Sequence, residues 1–116
     1  MRAYSYEGIG QWAATFACSG VREGQVVKVS EGGTVSACEE GGSFCGVALA
    51  VSRGGDACTV ALGGMVTAGY SGGTAPGVGW VNLAADGSGG VTAADGGRSY
   101  LVVDVDSSVK TVTFVL

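Results

Sequence analysis

The chain has 116 residues, with 6 Lys or Arg, 10 Asp or Glu, and a net charge of −4. Hydrophobic residues make up 47% and charged residues 14%, which excludes a disordered chain, since disorder needs low hydrophobicity and high charge. No basic cluster exists to neutralise phosphates, and no apolar run reaches the roughly 20 residues of a membrane-spanning helix, so neither a nucleic acid nor a membrane is an expected partner.

The length fits one small domain. The 23 glycines interrupt every window long enough for a helix, while Val and Thr are frequent between them. Glycine costs roughly 1 kcal/mol in a helix interior and β-branched residues suit a pleated surface, so the expectation is all-β, a small barrel or sandwich.

In chain order, residues 1–11 do not alternate and carry Tyr4, Tyr6 and Ile9 among glycines. They are an expected extended arm ahead of a single β domain over 12–116, and Tyr and Trp are favoured as interface anchors. Trp12 to Cys18 predicts a first strand, with Trp12, Ala14, Phe16 and Cys18 on one face. Gln25 to Val29 and Val35 to Ala37 predict two more. The stretch from Phe44 to Tyr70 reads as strand, tight turn, strand, break, strand. Alternation there predicts a bulky face of Cys45, Val47, Leu49 and Val51 and a nearly bare face of Gly46, Ala48 and Ala50. Gly54-Gly55 is the hairpin signal. Met65 to Tyr70 predicts a strand, residues 71–77 a surface loop, and Lys110 to Leu116 a terminal strand with Val112, Phe114 and Leu116 in phase.

The chain also repeats itself, over about 24–62 and 78–116. Val27 and Val29 match Val81 and Leu83 at an offset of 54; Val35 matches Val91 and Phe44 matches Tyr100 at 56; Thr59 to Leu62 match Thr113 to Leu116 at 54 again. The expected changes are two residues gained between Ala85 and Gly90 and two lost in the second hairpin, around Asp106 to Ser108. One unit buries too little surface alone, so the two units are expected to share one core.

No reactive set stands out. Without histidine, Ser/His and Cys/His catalysis are excluded. Glu39-Glu40, Asp104 with Asp106, and the Asp86-Gly-Ser-Gly-Gly loop read as solvated turns and strand faces, so no catalytic residue, metal site or cofactor is expected. Cys18, Cys38, Cys45 and Cys58 lack a Cys-x-x-Cys pair; Cys45 and Cys58 lie in phase with Val and Leu and read as small buried hydrophobes. Trp80 with Tyr70 and Tyr100 is a candidate sugar platform, though packing is the simpler reading.

Gly24-Gln-Val-Val-Lys-Val, Phe44-Cys-Gly-Val-Ala-Leu-Ala-Val, Cys58-Thr-Val-Ala-Leu-Gly-Gly-Met-Val, Gly77-Val-Gly-Trp-Val-Asn and Gly89-Gly-Val-Thr-Ala together form a pattern of turns and small residues over about residues 20–116. In this the chain resembles the small capsid decoration, or cement, proteins of tailed bacteriophages. The resemblance implies a non-enzymatic virion protein, assembled in the host cytoplasm. It would bind the major capsid protein on the outer surface of the head, as a homotrimer, and stabilise the lattice. The docking elements expected on that basis are Tyr4, Tyr6, Ile9 and Trp12, with the loop from Tyr70 to Pro76 as second choice. The alternative is a phage fibre knob or carbohydrate-binding β-domain using Trp80 and Tyr70.

Overall fold

The computed structural model describes residues 11–71 and 75–116. The arm residues Tyr4, Tyr6 and Ile9 lie outside the described residues. The described residues form ten strands, in keeping with the alternating Val and Thr: β1 (Trp12–Cys18), β2 (Val26–Glu31), β3 (Thr34–Ala37), β4 (Gly46–Val51), β5 (Ala57–Gly63), β6 (Met65–Gly69), β7 (Gly79–Ala85), β8 (Val91–Ala93), β9 (Arg98–Asp106) and β10 (Thr111–Val115). No helix occurs among the described residues. The β4–β5 hairpin turns where Gly55 takes a φ of +75°, a conformation open to glycine at little cost, and its N–H donates to Ser52 O at 2.9 Å.

Strands β1 to β5 form a closed barrel in the order β1-β3-β2-β4-β5. Closure is made by β1, which pairs antiparallel with β5 and parallel with β3, through Cys18 opposite Val35. Strands β6 to β10 form a second sheet in the order β6-β10-β9-β7-β8. Read from β6 through β10, this is the same order as β1 through β5 and back to β3. The parallel contact between first and third strands also recurs, reduced to a single bridge between Tyr70 and Val91. Both sheets carry a bulge at the same place: the register slips between Ala48 and Ala50 in β4 and between Thr113 and Phe114 across from β9.

These pairings correct the expected alignment of the two halves. Ala48 faces Val60 and Ala50 faces Thr59; Val102 faces Phe114 and Asp104 faces Thr113. The spacing is therefore 54 along the whole of β4/β9 and β5/β10, and the second hairpin is no shorter than the first. With Val35 and Val91 in equivalent closing contacts at a spacing of 56, the two lost residues fall in the β8–β9 connection.

The bulge also corrects the expected faces of β4. Leu49 is the extra residue, turned outward and 42% exposed, while Gly46, Val47 and Ala48 are all buried. The bare face is covered, because Gly46 lies against the Ala61 carbonyl and the Val60 side chain. At Val26–Val27 of β2, Val47–Ala48 of β4 and Val60–Ala61 of β5 both sides are buried, so neighbours on one strand enter different cores.

One cluster fills the barrel: Cys18, Val21, Val27, Val35, Ala48, Cys58 and Val60. The other lies between the barrel wall and the second sheet, with Val26, Val47 and Ala61 from the barrel meeting Val66, Leu83, Val91, Val102, Val112 and Phe114. The single shared core expected from the repeat is thus joined by a private one. Phe44 stacks on Tyr100 with centroids 5.1 Å apart and 11° between planes, and Phe114 meets both edge-on at 5.9 and 5.3 Å, so the shared cluster is built on an aromatic trio.

Candidate partner-binding surface

Alternation places outward-facing side chains of paired residues in rows across a sheet. On the second sheet one row crosses four strands: Met65 pairs with Val115, Val115 with Leu101, and Leu101 with Trp80. Met65, Val115 and Leu101 are half-buried, whereas Trp80 is 74% exposed. The next row is polar, with Thr67 and Thr113 hydroxyls 2.9 Å apart.

At the Met65 end of the row the described chain begins. Gln11 Nε2 donates to Met65 O at 2.9 Å, and the Gln11 backbone lies against Gly64. Trp12 follows on β1. Its indole lies over Gly63, in the space a side chain there would fill, and the ring is still 60% exposed. Of the expected docking residues, Trp12 is therefore on the surface, next to Gln11, where the described residues start.

Tyr70 and Pro76 are not on the surface. Tyr70 is 8% exposed and belongs to the shared core, and Pro76 is buried as well. The reason is the Tyr70–Val91 bridge, together with Tyr70 N–H donating to Lys110 O at 3.1 Å, which draw the end of β6 into the sheet. This chain's own packing covers both, and the exposed apolar groups nearby are Val78 and Trp80. Tyr100 is also buried, 3% exposed, so no platform of Trp80, Tyr70 and Tyr100 exists on the surface.

Beside Trp80 lies an open hollow of about 580 Å³ lined by Trp80, Val81, Asn82, Ala93, Ala94 and Asp95. Asn82 follows Trp80 by two residues and so shares its outward face. The far wall is pinned: Ala94 N–H donates to Asn82 O at 3.0 Å, Gly97 N–H to Ala94 O at 2.9 Å, and Asn82 Nδ2 reaches Asp95 O at 3.5 Å. Asn82 and Asp95 were not among the candidates from sequence. Their proximity follows from the β7–β8 register, Leu83 opposite Ala93, which no local pattern announces.

The acidic sets have structural roles. Asp86 Oδ1 accepts the N–H groups of Ser88 and Gly90 at 2.7 and 3.0 Å, fixing its loop. Asp106 Oδ1 accepts Ser108 N–H at 3.0 Å and Ser108 Oγ at 2.6 Å, which closes the β9–β10 turn. Glu39 pairs with Lys28 on the surface; the hydrogen bond, then the opposite charge, lowers the Glu39 pKa and raises that of Lys28. Among the described residues no group of His, Cys, Asp and Glu could hold a metal ion.

All four cysteines are free thiols. Burial pushes Cys38 and Cys45 up, and pushes Cys58 up to about 11, with the Cys18 thiol beside it adding to the rise. The raised thiols of Cys38, Cys45 and Cys58 keep their protons at neutral pH, as small core residues do.

Comparison with known proteins returned no matching family, no matching curated protein and no matching solved structure.

Proposed function

We propose that the chain is a capsid decoration protein of a tailed bacteriophage, which binds the major capsid protein on the outer surface of the head as a homotrimer and acts without catalysis. The reading rests on the sequence pattern over residues 20–116 and on one observation above all: Trp12 is a large aromatic ring left 60% exposed at the point where residues 1–10 join the barrel. An ordered Trp on an element of a closed barrel is a rigid anchor, and such rings contribute a large share of binding energy once a partner covers them. The mechanism is mass action. A protein that binds only the assembled lattice stabilises that lattice, and several anchors per oligomer multiply the effect.

The test is addition of purified protein to expanded shells that lack decoration. Bound protein is expected to raise the temperature at which the shells break. Trp12→Ala is expected to weaken addition roughly 10- to 100-fold, as for an anchor worth about 2 kcal/mol or somewhat more. Deletion of residues 1–11 should weaken it too, with the far-ultraviolet circular dichroism unchanged. Equal occupancy by wild type and Trp12→Ala would overturn the reading. The other reading, a carbohydrate-binding domain, is favoured by the exposure of Trp80.

A further inference from the structure

We infer that the hollow beside Trp80 is a saccharide-binding site, separate from the surface around Trp12. Trp80 is the most exposed large apolar side chain of the described residues, at 74%, yet it sits within β7, one residue from its start, and is paired on one side with Leu101 of β9. A ring so placed is presented by a rigid element and is not a loose end. Three strand spacings, about 14 Å, separate the Met65 end of the apolar row, next to Gln11, from Trp80. A ligand at Trp80 therefore does not need the arm's root.

The chemistry beside the ring narrows the ligand. A pyranose has a face of C–H groups and an edge of hydroxyls. The C–H face needs a flat aromatic surface, which the indole provides. The hydroxyls need paired donors and acceptors. The Asn82 amide offers both, and the Asp95 carboxylate accepts two hydroxyl protons. Ala93 and Ala94, which also line the hollow, carry small side chains that take up little of the space between ring and polar groups. Its volume of about 580 Å³ lies within the 300–1,000 Å³ typical of small-ligand sites. The turn that carries Asp95 is held by the Ala94–Asn82 and Gly97–Ala94 hydrogen bonds, so the polar wall is formed before a ligand arrives. A lone carboxylate in the lining favours a neutral sugar over a cation, which would need more oxygen ligands.

The experiment is saturation-transfer NMR with titration on the full-length protein. The probes are glucose-, galactose- and N-acetylglucosamine-terminated oligosaccharides. At least one probe is expected to bind saturably, with its ring C–H protons receiving the transfer. Trp80→Ala should abolish that binding, and Asn82→Ala and Asp95→Asn should each weaken it severalfold. Because these side chains are on the surface, the variants should melt at the wild-type temperature, which separates lost binding from lost fold. Absence of saturable binding to every probe would overturn the site, as would binding that survives Trp80→Ala. Loss of shell addition in Trp80→Ala with no saccharide binding would likewise overturn it and reassign the ring to a protein contact. Shell addition by the Trp12 surface is read in a separate assay, so either result can fail alone.

Discussion

Cys58 shows how a side chain can be read one way and constrained in another. It is 2% exposed inside the barrel, on β5, with a pKa pushed up to about 11 by burial and by the neighbouring Cys18. The thiolate is therefore disfavoured in the folded state but not in the unfolded one. Below the unfolded value, near 8.5 to 9, both states hold the proton and stability is unaffected. As pH rises from there to about 11, the unfolded chain loses its proton first, and the folded state loses stability. Urea unfolding at pH 8 and pH 10.5 should show this decline, and Cys58→Ala should make it shallower. Burial raises Cys38, Cys45 and Tyr100 in the same direction, so the limb will flatten without vanishing.

Among elements, β4 is the most constrained. Its sequence alternates along its length, yet the structure places Val47 and Leu49 in different surroundings and buries Gly46 and Ala48. Gly46 and Ala48 looked like a bare side because small residues carry no hydrophobic signal of their own. In the fold their smallness is what lets β4 and β5 approach closely. A methyl group at position 46 would meet the Ala61 carbonyl and come within 2.9 Å of Val60 Cγ1, both inside the wall of the barrel. Gly46→Ala is therefore expected to destabilise by roughly 1–3 kcal/mol, the range for overpacking a closed core. Gly32→Ala, where nothing lies within 4 Å and φ is not positive, should change stability by no more than about 0.5 kcal/mol. Chemical denaturation of the pair checks the contrast. The outward turn of Leu49 has the same origin: a bulge adds one residue to one strand, and the phase beyond it follows pairing instead of period.

At the scale of the whole molecule, the shared cluster joins two sheets of equal strand order. Phe114 is 0% exposed at its centre and touches Phe44 of the first half and Tyr100 of the second. Phe114→Ala should cost about 3–5 kcal/mol, against a total of about 5–15 kcal/mol for a domain of this kind. Because the trio belongs to both halves, calorimetry of this variant should show one transition at a lower temperature. Two separated transitions would mean that the barrel and the second sheet fold independently.

The all-β class, and nearly every strand, were legible from the sequence, because glycine forbids long helices and alternating Val and Thr encode a strand locally. β1, Trp12–Cys18, coincides with the expected run. Trp12, expected from the sequence as a docking residue, is 60% exposed at the start of β1. Other features are settled by neighbours distant in the chain. Tyr70 is drawn into the sheet by contacts with Val91 and Lys110, and Asn82 and Asp95 meet through the β7–β8 register. Sequence period sets which side of a strand a residue takes only up to a bulge; pairing and closure place the bulges and decide whether a side meets the barrel interior, the second sheet or water.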